Sequence, residues 1–200
     1  MISSIKLLFV GVLVLAISAC VHQPALKPVA NWNQYQQQLG AIDQWQFEGR
    51  LALKAPGSAD TPRIAWKQNP NDYAIRLWGA FGLGNTWIYG NGSGVRIEQA
   101  GNDTAFAPTP EQLVYDTLGY DIPVKNLRYW VKGIPAPDVP VDSIKADSNG
   151  LVEEMQQSGW SLTFDRYEPV ARWNLPGRIV ARRDDIRLTL RVSEWHIDAD

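Results

Sequence analysis

The chain has 200 residues, a formal net charge of −2, 45% apolar residues and nine tryptophans, against one cysteine and two histidines. So mild a charge leaves no electrostatic footprint for nucleic acid, a lone cysteine cannot close an intramolecular disulfide, and the sequence has no His/Cys metal spacing, no Gly-x-Ser-x-Gly elbow and no Walker loop. A carboxylate pair could still run glycoside hydrolysis, but the acidic residues fall mostly in turns or on alternating outer faces, and no enzyme is expected.

The first twenty residues read MISSIKLLFVGVLVLAISAC. Lys6 gives a positive start, and the apolar run from Leu7 to Ile17 suits a signal-peptide core and is too short to span a bilayer. Ile17-Ser18-Ala19-Cys20 resembles a bacterial lipobox, with Ile where Leu is usual. That resemblance implies a signal at 1–19 cut before Cys20, a diacylglycerol on the Cys20 thiol and an acyl chain on the new amino group. The plainer alternative is ordinary secretory cleavage that leaves a free thiol. One acyl chain anchors marginally and two signals anchor stably, at roughly 0.8 kcal/mol per methylene. Three chains would therefore tether the protein without a spanning helix, and no later segment has about eighteen apolar residues in a row. Val21 follows, so the aspartate that commonly retains lipoproteins at the inner membrane is missing, and the expected address is the outer membrane, facing the periplasm. Residues 20–30, with Pro24, Pro28 and an idle His22, read as the lipidated tether, and 31–200 as a single domain.

In that domain Asn31 suits a helix N-cap, with Trp32, Tyr35, Leu39 and Ile42 on one stripe. Strands follow. Trp45, Phe47, Gly49, Leu51 and Leu53 alternate with Gln46, Glu48, Arg50 and Ala52. RIAWKQ presents Ile64 and Trp66, and YAIRLW presents Tyr73, Ile75 and Leu77. NTWIYG and GVRIEQ continue an antiparallel meander too closely spaced for crossover helices. Between YAIRLW and NTWIYG lies Gly79-Ala80-Phe81-Gly82-Leu83-Gly84, an apolar turn where polar residues are usual. Thr109, Pro110 and Gln112 predict a boxed helix start ahead of Leu113, Val114, Thr117 and Leu118, with Gly119 at its end. PVKNLRYWVKG predicts a second helix that stops at Gly133, and strands return from DSIKAD to DIRLTLRVSEW. The expectation is a mainly β domain with short helices, about ten or eleven strands closing as a barrel or curling as a half-barrel. Alternation alone leaves open whether its interior is packed or hollow.

The order of lipobox, tether, Trp/Gln-rich helix, GRLAL, IAWKQ, YAIRLWGAFGLGNTWI and LRYWVKGIP resembles the LolB family, across essentially the whole mature chain. The stretch Leu127–Pro135 and the apolar turn are its most specific parts. The resemblance implies an outer-membrane lipoprotein that receives lipoproteins from a periplasmic LolA-like carrier and inserts them. It implies one antiparallel sheet of about eleven strands, curled into a half-barrel and covered by a helical lid over a hydrophobic cavity. The expected lining is Trp45, Phe47, Leu51, Trp66, Ile75, Leu77, Trp87, Leu127 and Trp130, although the glycines after Trp78 leave the faces of Trp78 and Trp87 ambiguous. Leu83, with Phe81, becomes the membrane-insertion loop; the family often has proline before that leucine, and this chain has Gly82. Implied partners are the carrier, the acyl chains of cargo and the inner leaflet of the outer membrane. A monomer is expected, with no nucleic acid, no metal and no cofactor beyond its own N-terminal diacylglycerol and acyl chain. Two rivals are a binding scaffold for envelope assembly or lipopolysaccharide, with no hollow interior, and an enzyme with carboxylates facing across a groove.

Overall fold

The computed structural model describes residues 25–80, 84–101 and 104–197. After α1 (Trp32–Gly40) come β1 (Trp45–Ala55), β2 (Ser58–Asp60), β3 (Arg63–Gln68), β4 (Asp72–Ala80), β5 (Gly84–Asn91), β6 (Gly94–Gln99) and β7 (Ala105–Ala107). Two helices, α2 (Pro110–Leu118) and α3 (Val124–Trp130), precede β8 (Val141–Ala146), β9 (Val152–Gln157), β10 (Trp160–Val170), β11 (Trp173–Arg183) and β12 (Ile186–Ile197). All strands join one open sheet in the order β7-β6-β5-β4-β3-β1-β12-β11-β10-β9-β8, with β2 paired to β1. The first and last long strands are therefore neighbours at its centre, while β7 and β8 form its two edges. Twelve strands among the described residues stand against about eleven expected; β2 and β7 have three residues each, too few to show alternation.

The central strands β1 and β12 hold their core side chains on one face across a correction of step. Glu48 pairs with Glu194 but Gly49 pairs with Val192, so Ser193 is an extra residue on β12. The bulge lets Leu188, Leu190 and Val192 share a face with Trp195 although the spacing changes from even to odd. Its hydroxyl donates to the Glu48 carbonyl at 3.0 Å. Gly49 is required there, because a Cβ would stand 2.2 Å from the Arg191 carbonyl oxygen.

The helix ends follow side-chain chemistry. Asn31 Oδ1 accepts from the Gln34 amide at 3.1 Å, and Thr109 Oγ1 accepts from the Gln112 amide at 3.2 Å. The reciprocal half of the expected capping box does not form: Gln112 Nε2 donates to Asp116 at 2.7 Å instead. Gly119 closes α2 in the left-handed region, at φ 76°.

The segment after α3 is fastened from two sides. Gln157, fully buried on β9, accepts from Trp130 Nε1 at 2.7 Å and from the Ala136 amide at 2.9 Å, and donates to the carbonyls of Ala136 and Val139. Gly133 has φ 75°, and a Cβ there would meet Tyr167 Oη at 2.7 Å, which accounts for the glycine in that motif. Lys132 is 2% exposed and donates to the carbonyls of Leu39 and Ile42, each at 2.9 Å. Those acceptors lie at the C-terminal end of α1, where a cation is favoured. Burial nevertheless pulls the ammonium down from 10.5 to about 7, with nearby Arg128 in the same direction and Asp43 opposing.

A folded-state value below the unfolded one means the unfolded chain binds more protons between about pH 7 and 10.5, so stability rises with pH across that window. Urea titrations of wild type and Lys132→Met should diverge there, wild type gaining at up to about 1.4 kcal/mol per pH unit. Parallel curves would mean that the lysine is not held this way.

Candidate functional site: an apolar cavity under two helices

The concave face of β1, β3, β4, β5, β11 and β12 meets α2 and α3 around a cavity of about 160 Å³. Phe47, Leu51, Leu53, Ile64 and Trp66 supply part of the floor, and Pro110, Leu113, Val114, Leu118, Leu127 and Trp130 the roof. Every lining residue is apolar. A second space of about 250 Å³ shares Leu51, Leu53, Leu77, Ile88, Leu113, Val114 and Leu118 with the first and reaches polar Ser58, Asp60 and Thr117. The apolar stripe of α2 thus lines both. Dry cavities of roughly 150 Å³ lined by aliphatic groups take up benzene-sized ligands. With no titratable or nucleophilic side chain in its lining, the inner cavity can hold apolar matter but has nothing to react with it.

The fold brings Phe47, Leu51, Trp66, Ile75, Leu77, Leu127 and Trp130 to this one cavity. Two further expected residues stand elsewhere. Trp45 is buried on the same face but outside the lining, stacked on Phe47 and against Trp66 and Trp195. Trp87 is on the opposite, convex face. Leu77 pairs with Thr86 and Ile75 with Ile88, so Trp87 pairs outward with Arg76. Its ring stacks on Tyr89 with centroids 5.7 Å apart, and the Arg76 guanidinium lies 5.2 Å from it. Ile88 takes the place expected for Trp87. The strands at the far end of the chain contribute Ile179, Ala181, Leu188 and Leu190. Their alternation in GRIVARR and DIRLTLRV was the available signal, and it says which face they share but not that the face is hollow.

Cys20, Phe81 and Leu83 lie outside the described residues. The backbone pairing of Ala80 with Gly84 carries β4 and β5 up to the apolar turn on both sides. Trp130 Nε1 has Gln157 as its partner, whereas Trp66 Nε1 is buried without one. Burial lifts the Tyr73 hydroxyl to about 12, with Glu111 contributing. Among the described residues no helix is long and apolar enough to cross a membrane.

One open antiparallel sheet with helices over an apolar hollow defines the fold class. The crystal structure of a LolA-superfamily protein from Nitrosomonas europaea matches with a TM-score of 0.53 at 8% identity, over 88% of this chain and 96% of that one. The family profile described as "Outer membrane lipoprotein LolB" matches residues 43–195. The "Outer-membrane lipoprotein LolB" of Cellvibrio japonicus is 34% identical over 182 residues, covering 89% of this chain and 90% of that protein. The protein of the same name from Pseudomonas savastanoi pv. phaseolicola is 33% identical over 166 residues, covering 83% and 80%. The chain belongs to the LolB family of outer-membrane lipoproteins.

Proposed function

We propose that the protein takes the acyl chains of lipoproteins from a periplasmic LolA-like carrier into this cavity and passes them to the inner leaflet of the outer membrane. Residues 1–19 are removed as a signal, and acylated Cys20 with the tether to residue 30 holds the single domain at the membrane. The observation that carries the reading is a cavity whose lining is apolar throughout, contributed by sheet and roof together. A binding scaffold has no use for such a space. No bond need form or break. Direction comes from affinity differences along the route, each tenfold step being worth about 1.4 kcal/mol. Two adjoining spaces of about 160 and 250 Å³ share Leu113, Val114 and Leu118 of α2, and in our reading α2 shifts as cargo enters. Phe81 and Leu83 give the domain an apolar contact with lipid; moving one leucine out of water is worth roughly 1.5–3 kcal/mol, enough to bias contact and too little to trap the protein.

The direct test mixes purified carrier, loaded with a labelled lipoprotein, with this protein acting as a monomer. The label should move to it. Retention of the label on the carrier ends the proposal. The cavity has its own test in Trp66→Ala. In a tightly packed core that truncation costs about 3–5 kcal/mol. Beside an existing cavity it should cost less and should change the affinity for an apolar naphthalene dye more than the melting temperature. A large loss of stability with unaltered dye binding would assign Trp66 to the packed core.

A further inference from the structure

The convex face of the sheet carries a row of arginines that the cavity does not use. Arg178 on β11 pairs with Arg191 on β12, Arg191 with Arg50 on β1, Arg50 with Arg63 on β3, and Arg63 with Trp78 on β4. Four guanidinium side chains therefore stand on four adjacent strands, across roughly 14 Å at ordinary strand spacing. A second row lies four residues further along: Arg182 pairs with Arg187, and Arg187 with Lys54. Like charges directly opposite one another destabilise a sheet, and the chain as a whole is slightly acidic.

Arg178 is compensated, 2.5 Å from Asp165. Arg50, Arg63 and Arg191 are exposed and have no carboxylate partner among the described residues. They line a groove of about 310 Å³ with Trp78, Ser193 and a single carboxylate, Glu48. Asp184 and Asp185 form the turn beyond the second row without pairing to it. At the Trp78 end the face changes to rings and cations: Arg76 lies 4.9 Å from the Trp78 ring, and Arg96 lies 4.2 Å from the Tyr89 ring.

We infer that this face is an electrostatic contact for the phosphate groups of anionic phospholipids. The rows supply the cations, and Trp78, Trp87 and Tyr89 are the ring types that settle at a membrane–water interface. Within the tether Lys27 already bonds to Asn174 and Val29 to Asn149, so the stretch from Cys20 up to Lys27 keeps the domain within about 25 Å of the bilayer at full extension, and this surface meets headgroups at high local concentration. The inference rests on the outer-membrane address of the family, not on cargo transfer.

The test uses the mature chain with Cys20→Ala, secreted without lipid, and phosphatidylcholine vesicles with or without phosphatidylglycerol. Binding should require phosphatidylglycerol and weaken as salt is raised. Each basic residue near an anionic surface contributes about a factor of five. The combined Arg50→Gln, Arg63→Gln and Arg191→Gln variant should therefore bind on the order of 100-fold more weakly, with its melting temperature unchanged or raised. Arg182→Gln with Arg187→Gln gives an independent variant on the second row, expected to lose on the order of 30-fold.

Equal binding to both vesicle types, or wild-type binding by both variants, overturns the inference. It is also overturned if the triple variant binds vesicles normally but takes cargo from the carrier slowly, which would make the face a dock for an acidic protein. Cargo uptake by the triple variant should match wild type. Failure of uptake in wild type itself would remove the transfer proposal and leave the vesicle result standing.

Discussion

Leu83→Glu should separate receiving cargo from releasing it. Our proposal gives the turn between β4 and β5 no part in forming the cavity, so the variant should melt like wild type and accept a labelled lipoprotein from the carrier. Delivery to liposomes should fall by tenfold or more. A charged side chain at the bilayer centre costs about 2.5–3.5 kcal/mol on insertion scales for Asp, Lys or Arg, and less near the surface. If Leu83 instead packs into the core, the same change buries an unpaired carboxylate and the domain loses several kcal/mol. A well-folded variant that delivers cargo at the native rate would remove the turn from the mechanism.

Gln157→Leu should cost the domain several kcal/mol of stability although the side-chain volume barely changes. The amide of Gln157 satisfies Trp130 Nε1, the Ala136 amide and the carbonyls of Ala136 and Val139. Leucine fills similar space and satisfies none of them. At about 1–3 kcal/mol for each buried group left unpaired, the total is on the order of 4 kcal/mol or more. That corresponds to a fall of roughly 10 °C or more in melting temperature for a chain of this size. Trp130→Phe removes only one of the partners and should cost less. A Gln157→Leu loss below about 1 kcal/mol would mean that the segment 130–139 is held mainly by its apolar contacts. The same variant probes the roof, since Trp130 lines the cavity.

Period-two alternation placed Phe47, Leu51, Trp66, Ile75 and Leu77 on one face because each strand is apolar on one side only. Helix α2 of the roof is legible from Thr109, Pro110 and Gly119, whose preferences are local, whereas α3 ends at Trp130, three residues before the glycine expected to stop it. Trp87 was misplaced because its face depends on how β4 and β5 resume pairing across the apolar turn, and the register shifts between Leu77 and Ala80. No local propensity encodes that shift. Gln157 was invisible for a different reason: in LVEEMQQ it is one of two adjacent glutamines, and its partners lie about twenty to thirty residues away. Whether the interior was filled or hollow was also illegible, because an apolar face looks the same over either. The family resemblance, rather than periodicity, pointed to the hollow.

The sheet ends at β7 on one side and β8 on the other, with no ladder joining them. A closed barrel has a girth fixed by strand number and shear. The open sheet is under no such constraint, and on our proposal its two flanks bend apart without breaking an inter-strand ladder. On that proposal α2 and α3 limit the movement, tied to each other by the Lys125 amide donating to Glu111 at 2.8 Å. Our proposal therefore has interior capacity track the bulk of what is carried, one acyl chain or several, with no strand melted.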